Sequence, residues 1–284
     1  MRLRTIVVAM TACTTAITPA DAQSIGSMLK DDAKYFARDI GAVWAAPFKA
    51  SGSDWATFAG AMGLFGASML VDRPAADWTL RQDSAGRLKA IEELRRGGVL
   101  FAGKYVVPPV AAMYIAGIAF KHQGLRDAVM GCAASWMAQS PPRRYLAHAI
   151  GRARPDTSKD DPGHYGPNDP QIWNIGWNKD WNMRSFPGGH IANAMGCASF
   201  WANRFDLGGV GEVALYTVVT GIGVGRMADG GHWFSDQVIG AILGYAIGNE
   251  IARRQLRRLD DASPPGLSVV PGATGTRLGF SWTF

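Results

Sequence analysis

The sequence predicts an all-α, single-domain helical bundle of about six core helices with a short C-terminal β-like tail. Three observations predict it. Apolar and polar residues recur at helical spacing along most of the chain. Clusters of Gly, Pro and Asn cut the chain into segments of helix length. An alternating strand pattern appears only at the end, in Leu278, Phe280, Trp282 and Phe284.

The elements follow in order. Residues 1–22 read as a secretory signal: Arg2 and Arg4, a short apolar stretch from Ile6 to Ile17, then Ala20-Asp21-Ala22, with the cut before Gln23. A helical domain is expected over 23–262 and a tail over 263–284. Residues 26–47 alternate apolar and charged positions at helical spacing. Residues 55–71 form an uncharged apolar run, and 72–96 a polar stretch holding an amphipathic helix, "SAGRLKAIEELRRGG". Residues 97–120 are broken by Pro108-Pro109, and 125–139 form another helical run. A long loop, 155–185, is rich in Pro, Gly, Asn and Trp. Helical runs at 189–203, 210–224 and 234–251 complete the bundle. In the tail, a hairpin with 267–270, turned by Pro271-Gly272, is expected.

Apolar residues make up 48% of the chain and charged residues 18%, with a net charge of +6. A basic balance suits anionic partners, but no run of Lys and Arg tracks a nucleic-acid backbone, so nucleic acid is not expected. The uncharged runs are short of the roughly 20 residues that a span needs. Short helices that are apolar all round suit the middle of a bundle. The expected product is therefore exported and periplasmic, with peripheral membrane contact allowed; an integral inner-membrane protein is the alternative. Cys132 and Cys197 lie in helix-like apolar segments and read as buried free thiols ahead of a disulfide, which an oxidising compartment also allows. No metal-ligand spacing is found, and no metal or cofactor is expected.

Three short stretches carry chemistry. In "GRMADGGHWFSDQ", Arg226, His232 and Asp236 stand at spacings of six and four. A helix over 232–250 would put His232 and Asp236 on one face, where Asp236 accepts a hydrogen bond from one imidazole nitrogen and leaves the other as nucleophile or base. In "SFPGGHIANA", Pro187-Gly188-Gly189 delivers His190 to a helix start, where free N–H groups suit an oxyanion. In "GRARPD", Arg152 and Arg154 offer guanidinium groups for phosphate. Each stretch alone also fits a bland reading: a surface pair, a glycine turn, a basic helix end. Trp173, Trp177 and Trp181 in the long loop read equally as a lid beside the site, with His164 and Tyr165, or as one helical stripe. His122 and His148 read as surface residues.

Together the three stretches resemble the signature of the type 2 phosphatidic acid phosphatase superfamily, which includes bacterial acid phosphatases and vanadium haloperoxidases. That signature is Lys-x6-Arg-Pro, Pro-Ser-Gly-His and Ser-Arg-x5-His-x3-Asp. Arg154-Pro155 matches the first motif, with Ala147 at the lysine. Pro187, Gly189 and His190 match the second, with Gly188 at the serine. Arg226, His232 and Asp236 match the third, with Gly225 at its serine. The resemblance implies a phosphatase domain acting on a phosphorylated small molecule or lipid. His232 would form a phosphohistidine, Asp236 orient it, and His190 serve as acid and base. Arg154, Arg226, the Gly188 and Gly189 amides and Arg152 would hold phosphate oxygens. Arg143, Arg144, Arg152 and Lys159 are the cations that could replace the lysine. Two rivals share the pocket: a vanadate-dependent haloperoxidase, which the short chain and missing lysine disfavour, and a non-catalytic phosphate- or lipid-binding protein.

Overall fold

Serine and acidic residues start the first helices of the computed structural model, which describes residues 24–87, 107–155 and 169–262 and the backbone of 266–272 and 275–281. The expected signal over 1–22, most of the expected amphipathic helix after residue 84, and Lys159, His164 and Tyr165 lie outside the described residues. Helix α1 is Ile25–Ala45, with Ser24 accepting from the Ser27 amide at its N-cap. Helix α2, Gly52–Ser68, opens with a capping box between Ser51 and Asp54. A 3-10 turn at Met69–Val71 joins it to α3, Asp72–Ser84. Then come α4 (Val107–Ala119), α5 (Gln123–Ile150), α6 (Gly189–Arg204), α7 (Gly208–Ala228) and α8 (Phe234–Ala262). His122 is more than a surface residue: its Nδ1 accepts from the Leu125 amide and caps α5.

Helix α6 is the centre of the bundle, buried along most of its length. It packs on α5 and α8 through Ala134, Ala138, Phe200, Ile247 and Ile251, and on α7 through Ile191, Ala198, Val219 and Ile222. Its approach to α8 is set by three glycines one turn apart. A Cβ at Gly240 would sit 2.5 Å from the Gly188 carbonyl oxygen, and Cβ atoms at Gly244 and Gly248 would strike the carbonyls of Ala192 and Gly196. Small residues at this spacing let two helix backbones touch. Helix α1 is tied on by charge: Asp39 is buried against Arg254 and Arg258 of α8, and Asp32 pairs with Arg126 of α5.

Pro141 and Pro142 lie inside α5. Pro142 has no N–H for the Ala138 carbonyl. The Trp44 indole donates to that carbonyl instead, at 2.8 Å, so α1 repairs the ladder of α5.

Two expectations are corrected. Cys132 and Cys197 form a disulfide joining α5 to α6. Buried thiols on neighbouring helices read alike in sequence whether bonded or free; only the facing of the helices decides. The apolar helices α2, α4 and α7 do not fill the interior. They are peripheral, with Trp55, Phe58, Leu64, Ile115 (65% exposed) and Val213 (67% exposed) facing outward. Among the described residues, α7 is the one helix long and apolar enough to cross a membrane.

In the tail, Gly266–Gly272 (β1) pairs antiparallel with Gly275–Ser281 (β2). The hairpin is present, but Pro271 and Gly272 belong to its first strand, opposite Thr276 and Gly275, rather than to its turn.

Candidate active site

Helix α5 stops at Gly151, whose φ of +60° a side chain would strain. A Cβ there would also strike Asn178, whose side chain donates to the His148 carbonyl, one of the last of α5. The chain then runs extended through Arg152 and Arg154, laced to the incoming loop. The Ala153 amide donates to the Ile172 carbonyl, the Arg154 amide to the Asn182 carbonyl, and the Ser185 amide to the Arg152 carbonyl. This lacing sets the first motif beside the second. A cis peptide joins Phe186 to Pro187, Gly188 caps α6, and His190 is the second residue of that helix. His232 lies in the loop from α7 to α8.

The two histidine rings, 42 positions apart in sequence, lie 6.2 Å apart between centroids. The Nδ1 of His232 lies 2.6 Å from the Ser185 carbonyl oxygen. A carbonyl only accepts, so Nδ1 carries the proton and Nε2 keeps its lone pair.

Asp236 departs from expectation. Helix α8 begins at Phe234, so His232 precedes the helix and shares no helical face with Asp236. The carboxylate accepts from the Trp233 amide at 3.0 Å, as a third-position acid does at a helix start. It also accepts the Ser185 hydroxyl at 2.5 Å and Arg152 Nη1 at 2.7 Å. Its link to His232 runs through Ser185, which takes the imidazole proton on its carbonyl and gives its hydroxyl to Asp236.

Arg152 is not a phosphate ligand. It is 0% exposed, and all five of its N–H donors are engaged: by the Pro170 carbonyl twice, and by Ser235, Asp236 and Asp72. Asp72, at the start of α3, also accepts from the Ser235 amide and hydroxyl, each at 2.7 Å. A buried Asp72–Arg152–Asp236 network thus holds the start of α8.

The charge of Arg154 acts on both histidines. Its guanidinium donates to the Gly231 carbonyl at 2.7 Å and the Trp181 carbonyl at 3.1 Å, and lies 4.4 Å from the Trp181 ring centre. Arg226, in the last turn of α7, pairs with Asp229 at 2.5 Å.

Burial, then the charges of Arg226, Arg143 and Arg154, push His190 down to about 3. His232 is held well below its ordinary value by burial, Arg154, Arg226 and His190, against the Ser185 carbonyl. Burial raises Asp236, opposed chiefly by Arg152. Burial and Arg226 bring Arg154 down to about 10, so it stays cationic at neutral pH. The site therefore holds two neutral imidazoles amid positive charge, which suits an anion.

Sequence reasoning missed Asp72 and Ser185. Asp72 sits in "LVDRP", where an acid reads as a helix boundary. Ser185 acts half through its backbone, which leaves no signature. The three loop tryptophans form no helical stripe. Trp173 packs on Phe186 and Arg152, Trp177 stacks on His148, and Trp181 covers Arg154. His148 is half-buried there rather than a plain surface residue. Among the described residues, no group of three or more His, Cys, Asp or Glu could hold a metal ion.

Comparison with known proteins finds one family model, the PAP2 superfamily, matching residues 127–260. That span holds all three motifs. No curated protein matches the chain. Among solved structures, the chain is similar to the first transmembrane PAP2-type phosphatidylglycerolphosphate phosphatase, from Bacillus subtilis. The identity is 14%, over 82% of this chain and 98% of that one, with a TM-score of 0.41.

Proposed function

We propose that this chain, whose residues 127–260 match the PAP2 superfamily, is an exported phosphatase that takes a phosphate group from a lipid through a phosphohistidine on His232. The observation that carries the reading is the pair of rings 6.2 Å apart under the field of three guanidiniums. One phosphoryl group bridges such a gap.

The steps follow from the proton positions. Nε2 of His232 attacks phosphorus, forming the N–P bond as the bond to the leaving oxygen breaks. His190, protonated once the anionic substrate arrives, gives its proton to that oxygen. Nδ1–H stays on the Ser185 carbonyl, and Asp236 balances the growing imidazolium charge through Ser185. Water then attacks phosphorus, His190 takes its proton, the N–P bond breaks and phosphate leaves. Arg154, Arg226 and the Gly189 amide hold the equatorial oxygens; the Gly188 amide, expected to join them, is instead donated to the Asp236 carbonyl at 2.9 Å. Position and charge do this work.

A lipid substrate is supported by where the exposed apolar residues lie. Phe65, near the end of α2, packs on Phe186 at 5.3 Å between ring centres. Leu70 (83% exposed) and Val71 immediately precede buried Asp72. Trp55, Phe58, Met62 and Leu64 expose the rest of α2. An acyl chain along α2 would bring its headgroup to the histidines. Export is supported by the signal-like residues 1–22 and by the disulfide, which belongs to an oxidising compartment. The protein then works on the periplasmic side, in contact with the bilayer.

The test is a panel of p-nitrophenyl phosphate, phosphatidic acid and a polyprenyl diphosphate, the lipids in mixed micelles. The mature protein is expected to favour a lipid in kcat/KM, and His232→Ala to lower turnover on the order of 10³-fold or more. Preference for the soluble ester would remove the lipid, and an active His232→Ala would remove the nucleophile.

A further inference from the structure

Position 147, where the family pattern has lysine, is a buried alanine. One helical turn earlier on α5 stands Arg143, on the same face. Its guanidinium reaches the start of α6: a Cβ on Gly189 would strike its Nη1 and lie 2.7 Å from its Cζ. Gly189 is the first residue of that helix, and His190 follows it. The Arg143 charge is one of three that keep His190 neutral. Burial, with the like charge of Arg144, brings Arg143 itself down to about 10. Its Nε is buried without a hydrogen-bond partner, and among the described residues no carboxylate pairs with it. A half-buried guanidinium with a buried, unpartnered Nε, set against the first residue of α6, suits an anion. The other nearby cations do not supply the missing charge: Arg152 is used up by Asp72 and Asp236, and Arg144 is exposed.

We infer that Arg143 is the phosphate-binding cation that replaces the lysine absent at position 147, holding an equatorial oxygen beside the α6 N-terminus and His190. The role deepens the phosphatase reading and rests on it. It also accounts for how the site keeps three cations although its motif lysine is gone.

The test compares wild type with Arg143→Ala and Arg143→Met, measuring inorganic phosphate affinity by calorimetry, kcat/KM on the preferred substrate, and unfolding in phosphate-free buffer. Both variants are expected to weaken phosphate binding at least about tenfold and to lower kcat/KM on the order of 10²-fold. Unfolding midpoints without phosphate are expected to hold or rise, because a half-buried charge without a carboxylate partner among the described residues has gone. A merely structural role predicts the opposite: a falling midpoint with phosphate affinity intact. Should Arg143→Ala fail to fold, Arg143→Met keeps the apolar stem and carries the same outcomes. Phosphate affinity and turnover within about threefold of wild type in a folded variant would overturn the assignment. A wild type that binds phosphate, loses that binding in Arg143→Met and hydrolyses nothing would remove the phosphatase reading and leave the cation site.

Discussion

Gly188 shows why a motif departure need not be a defect. The family pattern has serine there, yet a Cβ would lie 2.6 Å from the Asp236 carbonyl oxygen, which accepts the Gly188 amide at 2.9 Å. Backbone cannot yield as a side chain end can. Gly188→Ser is therefore expected to lower kcat/KM at least about tenfold and to lower the unfolding midpoint, rather than restore a lost donor. A more active variant would show that the hydroxyl fits. The histidines predict a pH dependence at the same scale. His190 lies near 3 when folded and titrates at about 6.5 when unfolded. Between those values the unfolded chain binds more protons, so stability is full above pH 6.5 and declines as pH falls toward 3. The slope from His190 is about 1.4 kcal/mol per pH unit within that window. Urea unfolding across that window, without phosphate, measures it, and His190→Asn is expected to remove its share.

At the scale of elements, the proposed chemistry depends on α6 and α8 touching. His190 opens one and Asp236 the other, and Gly240, Gly244 and Gly248 set their distance. Gly244→Leu is expected to cost about 1–3 kcal/mol in urea unfolding, and to lower turnover by displacing the histidines. Unchanged turnover would mean that the separation does not matter. Helix periodicity made α1, α6, α7 and α8 legible in the sequence. It could not decide which faces they turn to one another, so the Cys132–Cys197 bond was not legible. Nor could it separate an interior apolar helix from an exposed one: α2 and α4 carry the same uncharged pattern that a buried helix would.

Across the molecule, the motif residues were legible because their spacing fixes chemistry on short segments. His190, His232, Arg154, Arg226 and the Gly188-Gly189 turn all meet at one end of the bundle. What was hidden is the long-range support: Asp72 joins Arg152 across 80 positions and Ser235 across 163. Arg152 itself looked like a ligand because sequence shows its charge and not its partners. The same junction of α2 and α3 that supplies Asp72 exposes Leu70 and Val71, so an exposed apolar surface and the support of the candidate site share one segment. The central claim is that both histidines act on one phosphorus. Rapid-quench trapping of the labelled phosphoenzyme, followed by peptide mass spectrometry, tests it most directly. The expected result is phosphate on His232, absent from His232→Ala and longer-lived in His190→Ala. Phosphate on any other residue, or turnover in wild type with no phosphoenzyme formed, would contradict it.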